Sequence, residues 1–181
     1  MARREEELGE LLKQRGWMIA VAEATCGGLI CHRIVSVPGS SKYFERGIIA
    51  YSRSAKVDLL RVPPETLQTF GAVSAETAAA MAEGVRALSG TQLGLAESGI
   101  AGPVRGKSPK PIGACYIALA TPEGTQVREF QFAGERLDIM NQIATAALQM
   151  VAEYLLSLPT ASPSASGPPA GTPEPSRRDA R

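Results

Sequence analysis

Apolar and polar positions follow one another along the chain in blocks that predict alternating helices and strands. Residues 4–15 carry leucines at helical spacing, with acidic residues early and basic residues late, which predicts an amphipathic helix. The apolar run 17–22 predicts the first strand. Apolar spacing resumes after a break that contains Gly27 and Gly28, so the pattern predicts a strand, a tight turn and a helix that ends near Val35.

The same alternation continues to the C-terminal part of the chain. Further helices are predicted at 54–60, 64–70, 75–88 and 139–156, and further strands at 48–51, 93–96, 112–120 and 127–132. The last two strands flank Pro122-Glu123-Gly124, which is a hairpin signal. Helices that alternate with strands, with one hairpin added, predict an α/β sandwich with a mixed sheet.

The composition changes at Pro159, after which Pro, Ser, Ala and Gly dominate. Such a segment cannot bury enough apolar area to offset the entropic cost of ordering it. We therefore predict one domain over residues 1–158 and a disordered tail over residues 159–181.

Charge and cysteine counts narrow the possible functions. The chain has 181 residues with 19 Lys and Arg against 18 Asp and Glu, a net charge of +1, which favours neither nucleic acid nor an anionic membrane as a partner. The charged start is unlike a signal peptide, and no apolar run approaches membrane-spanning length. Three cysteines and one histidine, without a CxxC pair, predict neither a disulfide framework nor a metal site. These counts predict a cytoplasmic protein that needs no metal and no cofactor.

The turn after the first strand carries the candidate chemistry. Thr25 and Cys26 place a hydroxyl and a thiol on it, beside the carboxylate of Glu23. The backbone N–H groups of Gly27 and Gly28, at the start of a helix, suit an anion or a developing oxyanion. A cysteine at a helix N-terminus has a lowered pKa, which makes Cys26 the first candidate nucleophile and Thr25 the second. The alternative is that Gly27 and Gly28 only allow the chain to turn sharply and that the turn has no chemical role.

A second glycine-rich segment resembles a phosphate-binding loop but lacks the helix that such a loop requires. Residues 101–108 fit a loose phosphate-loop pattern and follow a predicted strand, but that loop requires a helix to begin at its Lys-Ser pair. Pro109 and Pro111 exclude such a helix, so we do not predict a nucleotide triphosphatase. The segment could still hold an anion in another way.

Several blocks together resemble one family. AEATCGGLI, VPGSSKYFERGIIAYS, GAVSAETAAAMAEG, ESGIAGP, KPIG and FAGER occur in an order and spacing similar to the C-terminal domain of competence/damage-inducible protein A (CinA), a family of nicotinamide-nucleotide amidohydrolases. The resemblance covers about residues 5–156. It implies a three-layer α/β/α sandwich that forms homo-oligomers. It also implies hydrolysis of the carboxamide of nicotinamide mononucleotide to a carboxylate and ammonia, without metal, in pyridine nucleotide salvage.

The resemblance also implies roles for residues outside the turn. Tyr51 and Lys56 align with a tyrosine and a lysine of the family, for which lysine as proton acceptor and tyrosine as proton donor are the natural roles. Ser98 keeps the hydroxyl of the family's threonine in the GIAGP block. Substrate-binding candidates, including cations and N–H donors for the ligand's phosphate, are Glu23, Gly27, Gly28, Ser40, Ser98, Gly99, Lys110 and Arg136.

Two positions of the turn depart from the family's pattern. The family's block reads A-E-S-x-T-G-G, with the serine as nucleophile and the threonine in support, and the chain has Ala24 and Cys26 there. Alanine has no lone pair with which to attack. Two hypotheses follow: an active amidohydrolase that uses Cys26, Thr25 or a directly activated water, or a catalytically impaired module that binds pyridine nucleotides.

Overall fold

Five strands and six helices make up the part of the chain that the computed structural model describes, residues 4–104, 106 and 108–159. The helices are α1 (Arg4–Arg15), α2 (Leu29–Val35), α3 (Arg53–Leu60), α4 (Pro64–Thr69), α5 (Ala75–Ser89) and α6 (Arg136–Ser157). The strands are β1 (Ile19–Glu23), β2 (Phe44–Ile49), β3 (Leu93–Gly99), β4 (Ala114–Thr121) and β5 (Gly124–Gln131). A short 3₁₀ turn, Ser40–Lys42, precedes β2.

The strands form one mixed sheet in the order β2-β1-β3-β4-β5. β1 pairs in parallel with both β2 and β3, whereas β4 is antiparallel to β3 and to β5. Thr121 pairs with Gly124 across the turn between β4 and β5, so the predicted hairpin is confirmed. The α/β sandwich with a mixed sheet is confirmed as well.

The two faces of the sheet are covered by different sets of helices. α1, α2 and α6 pack on the face that carries Val21 and Leu95, where large aliphatic side chains fill the core. α5, flanked by α3 and α4, packs on the face that carries Ala22 and Ala96. The small residues of this second face let α5 approach closely: a Cβ added to Gly94 would lie 2.2 Å from a backbone carbonyl oxygen of α5. Close packing of α5 therefore requires these small residues on the strands.

Two of the differences between the predicted and observed strand boundaries affect the candidate site. β2 runs from Phe44 to Ile49 rather than over 48–51, because it is an edge strand with mostly exposed positions and so lacks an apolar run at its start. β3 continues past the predicted 93–96 to Gly99, because Glu97 and Ser98 are buried in spite of their polarity. Both differences change which residues reach the carboxyl ends of the strands.

No helix within the described residues is both long and apolar enough to cross a membrane. The predicted tail lies outside the described residues except for Pro159, and so do Arg105 and Lys107 of the rejected phosphate-loop pattern. Residues 109–113, which follow that pattern and are described, contain no helix, as the prolines predict.

Candidate active site

A cleft of about 260 Å³ opens where β1 and β3 end and the chain leaves the sheet. The ends of neighbouring parallel strands are a common place for ligand sites in α/β sheets. A larger groove of about 710 Å³, between α3, α4 and α5, contains none of the predicted site residues. The cleft brings together six of them: Thr25, Tyr51, Lys56, Ser98, Gly99 and Arg136.

Glu23 lies beneath the turn, fully buried, and caps α2. Its carboxylate accepts hydrogen bonds from the amides of Gly28 at 2.8 Å, Ile30 at 3.2 Å and Cys31 at 2.8 Å. A carboxylate at this position satisfies N–H groups that a helix start leaves unpaired. Glu23 therefore holds the turn in shape and does not line the cleft, contrary to the prediction that it contacts substrate.

Glu97, which the sequence analysis did not single out, is the second buried carboxyl beneath the turn. Its Oε1 accepts the amides of Ala24 at 2.7 Å and Cys26 at 2.8 Å, whereas Oε2 has no hydrogen-bond partner within the described residues. Burial raises the pKa of Glu97 to about 7, although the two amides and the neighbouring Thr25 hydroxyl oppose that shift. An acidic residue at the end of a predicted buried strand was the signal that could have identified it.

The turn offers fewer N–H donors to a ligand than predicted. The amide of Gly28 donates to Glu23 and that of Cys26 donates to Glu97, and neither Gly27 nor Gly28 lines the cleft. The two glycines have φ angles of 61° and 107°, a region that favours glycine, so they shape the turn. The amide of Thr25, which has no acceptor among the described residues, remains as the donor beside the cleft.

Cys26 faces the core instead of the cleft. Its buried Sγ lies 3.5 Å from the carbonyl oxygen of Met140 on α6. Burial raises the pKa of the thiol far above its ordinary value, and the carboxyls of Glu97 and Glu23 raise it further. The prediction of a low-pKa thiolate is therefore wrong, because the thiol is buried and because two carboxyls lie beneath the turn at this point.

Thr25 is the residue of the turn that places a hydroxyl at the cleft. Its Oγ1 accepts the amide of Gly99 at 2.6 Å, which links the turn to the end of β3. The hydroxyl also lies beside Glu97 and lowers the pKa of that carboxyl by hydrogen bonding. Of the two predicted nucleophiles, Thr25 is thus the one with access to a ligand.

Lys56 is an almost completely buried lysine in the wall of the cleft, with 2% of its surface exposed. Its Nζ donates to the carbonyl oxygens of Ala50 at 2.7 Å and Tyr51 at 3.3 Å. Burial lowers the pKa of the amine, partly offset by the nearby Glu97 carboxyl. The side chain of Tyr51 is 67% exposed at the mouth of the same cleft.

The remaining cleft residues link the walls to one another. Ser98 is buried, and its Oγ donates to the carbonyl oxygen of Ala72 at 2.7 Å. Arg136, at the start of α6, donates from one guanidinium nitrogen to the carbonyl oxygen of Gly102 at 2.7 Å. Because that bond engages only part of the guanidinium, further N–H groups of Arg136 remain for an anion.

Two predicted phosphate contacts lie outside the cleft. Lys110 belongs to a neighbouring cleft, where its Nζ donates to the Tyr116 hydroxyl at 2.7 Å, which in turn donates to Glu129 at 2.8 Å. Ser40 lies in the turn before β2. Because β1 and β2 are parallel, the start of β2 pairs with the start of β1, so Ser40 is at the opposite end of the sheet from the cleft.

Glu23, Cys26 and Glu97 each offer one ligand atom, and these atoms lie within 4.8 Å of one another. Three of the four carboxylate oxygens already accept backbone N–H groups, and burial keeps the thiol protonated. Metal binding requires the thiolate. The donor set therefore fits a hydrogen-bonded support for the turn better than it fits a metal ion.

Comparison with known proteins gives one consistent match. The sequence matches the CinA C-terminal domain family over residues 1–155. A putative competence-damage inducible protein of Acetivibrio thermocellus is 51% identical over 140 residues, which is 77% of this chain and 34% of that protein. One of Desulforamulus reducens is 46% identical over 151 residues, 83% of this chain and 36% of that protein. The chain thus spans about a third of the length of these curated relatives.

Solved structures show the same likeness. Competence damage-inducible protein A from Klebsiella pneumoniae superposes with a TM-score of 0.83 at 28% identity, covering 85% of this chain and 96% of that one. A competence/damage inducible protein from Agrobacterium tumefaciens superposes with a TM-score of 0.78 at 34% identity, covering 87% and 98%.

Proposed function

We propose that this chain, which belongs to the CinA C-terminal domain family, hydrolyses a linear amide. The substrate proposed is nicotinamide mononucleotide, whose carboxamide would become a carboxylate with release of ammonia, in cytoplasmic pyridine nucleotide salvage. The reaction as proposed uses only groups of the chain and water, without metal or cofactor.

Lys56 carries this proposal. The carbonyl oxygens of Ala50 and Tyr51 accept two of its N–H groups, and both bonds can persist whether the amine is charged or neutral. The third position on the nitrogen, an N–H or a lone pair, is left for a molecule in the cleft. Burial lowers the pKa of Lys56, which makes it easier for the amine to give up a proton and take one back during the reaction than it is for an exposed lysine.

The Thr25 hydroxyl is the attacking oxygen in this proposal. Ala24 has no atom that could attack, Cys26 faces the core, and the Ser98 hydroxyl donates to a backbone carbonyl. The Thr25 hydroxyl, in contrast, lines the cleft that also contains Lys56.

Recognition of the nucleotide follows from groups at the edge of the cleft. The guanidinium of Arg136 matches the geometry of a phosphate, and Lys110 in the neighbouring cleft adds a second cation. Tyr51 supplies a hydroxyl at the mouth. Homo-oligomer formation and a domain that ends at residue 158 belong to the same proposal, the latter supported by the end of α6 at Ser157.

A second candidate function is a nucleotide-binding module without turnover. Ala24 favours it, because this residue lines the cleft at the position where the family has its serine. In that case the cleft would retain the nucleotide, and no covalent step would follow.

Ammonia release from nicotinamide mononucleotide by the purified protein tests both candidates, beside Thr25→Val, Cys26→Ala and Ala24→Ser. We expect activity in the natural protein, loss in Thr25→Val and retention in Cys26→Ala. If the natural protein binds the nucleotide without releasing ammonia, and the Ala24→Ser variant releases it, the natural protein is a binding module. Silence in all variants, with no binding by calorimetry, rejects the substrate.

A further inference from the structure

Glu97 has no part in the reaction proposed above, although it is in contact with the turn that carries Thr25. Its Oε1 accepts the amides on both sides of that residue, those of Ala24 and Cys26. The Thr25 hydroxyl lies beside the same carboxyl. Glu97 therefore binds the backbone on both sides of Thr25 and lies beneath it, on the side away from the cleft.

One oxygen of this carboxyl is left over. Oε2 of Glu97 is buried and has no hydrogen-bond partner within the described residues. A buried carboxyl oxygen without a hydrogen-bond partner lowers the stability of the folded state, so its presence needs an explanation, such as a part in catalysis. A carboxyl that lies beside a hydroxyl and has one oxygen unpaired can receive a proton and keep it.

We propose that Glu97 is the base that takes the proton of the Thr25 hydroxyl, so that the two residues form a nucleophile–base pair beneath the cleft. The proposal rests on the proposed function in one respect, namely that Thr25 attacks the amide. It goes further by assigning a catalytic role to Glu97, which was not among the site residues predicted from the family resemblance.

The bonds of Thr25 fit this role. A threonine hydroxyl has one hydrogen and two lone pairs. The amide of Gly99 engages one lone pair at 2.6 Å, which leaves the hydrogen for the neighbouring Glu97 and the second lone pair for the cleft. The bond to Gly99 positions the oxygen before substrate binds.

The reaction then balances as follows. The Oγ1 of Thr25 bonds to the amide carbon as its proton passes to Glu97. The carbon–nitrogen bond breaks as the Lys56 ammonium gives a proton to the nitrogen, and ammonia leaves. Water attacks the resulting ester and gives a proton to Lys56, while Thr25 recovers its own proton from Glu97. The acid product ionises to the carboxylate.

The surroundings of Glu97 suit a base that works near neutral pH. The titratable groups that face it are Glu23 on β1, Cys26 on the turn, Cys115 on β4 and Lys56 on α3. Burial is the largest cause that raises its pKa to about 7, and Glu23 adds to it. General bases are most effective when their pKa lies near the working pH.

Acylation of Thr25 by 4-nitrophenyl acetate, followed by mass spectrometry of the peptide that contains Thr25, tests the pair without any nucleotide. In the natural protein we expect the acylation rate to rise with pH to a plateau, with a midpoint near pH 7. Glu97→Gln retains an oxygen for the two amides but cannot take a proton, and we expect the rate to fall by about 100-fold or more and the midpoint to vanish. Glu97→Asp, which restores a titrating carboxyl, should recover part of the rate and a midpoint.

Glu45→Gln, on the exposed edge strand, is the matched control and should behave like the natural protein. The pair is overturned if Thr25 is not acylated in the natural protein, or if Glu97→Gln acylates with an unchanged rate and midpoint. If Thr25 is acylated with a midpoint that depends on Glu97, but the protein releases no ammonia from nicotinamide mononucleotide, the nucleophile–base pair is supported and the proposed substrate is wrong. If the Thr25→Val variant still releases ammonia, the amidase activity is supported and the nucleophile–base pair is wrong.

Discussion

Glu23 and Glu97 are direct partners in the parallel pairing of β1 with β3, and both carboxyls are fully buried beneath one turn. Their hydrogen bonds differ. Glu23 accepts three amides at the start of α2, one or two on each oxygen, whereas Glu97 accepts two on one oxygen and leaves the other unpaired. Both oxygens of Glu23 thus accept hydrogen bonds that stabilise the turn, whereas one oxygen of Glu97 is left to accept a proton.

Glu23→Gln should destabilise the protein by about 2–3 kcal/mol. The substitution replaces one acceptor oxygen with an NH₂ group that faces an amide, and hydrogen bonds to a charged group are worth about 1.5–3 kcal/mol. The free energy of unfolding from urea titration measures the loss. The exposed Glu45→Gln should change it by less than about 0.5 kcal/mol. A loss for Glu23→Gln as small as that of the control would show that the amides at the start of α2 do not depend on the carboxylate.

Glu97 should make the protein more stable in mild acid than at neutral pH. Its folded pKa of about 7 lies above the ordinary value of 4.5, so between these values the folded state holds a proton that the unfolded state has lost. The stabilising contribution is therefore full below about pH 4.5 and decreases as the pH rises to about 7. At about 1.4 kcal/mol per pKa unit, it is of the order of 3 kcal/mol.

Urea titrations at pH 5 and pH 8, for the natural protein and for Glu97→Gln, measure this contribution. Because other titrating groups are common to both proteins, only the difference between their pH dependences reports Glu97. An equal pH dependence in the two proteins would mean that Glu97 is ionised throughout this range.

The sequence was sufficient for the architecture because the buried elements carry long apolar runs. β1, β4 and α6 have such runs, and a short turn joins β4 to β5. The edge strand β2 was harder to place, since its exposed residues give no alternating pattern that could locate its start.

The candidate site was less accessible to sequence reasoning. The spacing identified Thr25 and Lys56, which meet in the cleft, but it could not tell which way Cys26 faces. The missing information was the pair of buried carboxyls: Glu23 and Glu97 are far apart in the chain and become neighbours only when β1 pairs with β3. Burial raises the pKa of the Cys26 thiol, and these carboxyls raise it further, which outweighs the lowering expected at a helix N-terminus.

Arg136→Met should weaken nucleotide binding by about tenfold or more, with little effect on folding. The exposed guanidinium makes one bond to the carbonyl of Gly102, and charge-assisted bonds to phosphate would use the rest of it. Calorimetric titration with nicotinamide mononucleotide measures the dissociation constant. The control is Arg128→Met, an exposed arginine on β5 that pairs with Glu153 and lies outside the cleft. Equal affinities in the two variants would remove Arg136 from the phosphate site.

Lys56→Arg should stop the proposed reaction before ammonia leaves. An arginine keeps a positive charge and N–H donors, but it does not give up its proton, so it can neither protonate the departing nitrogen nor take a proton from water. We therefore expect ammonia release at least about 100-fold slower than in the natural protein, without a rapid burst and without an acyl group on Thr25. Rapid-quench measurement of ammonia, with mass spectrometry of Thr25 for the acyl group, checks both expectations. Lys42→Arg, at the exposed turn before β2, should show no such change. Turnover at the natural rate in Lys56→Arg would mean that another group gives and takes these protons, because burial is what lowers the pKa of the Lys56 amine.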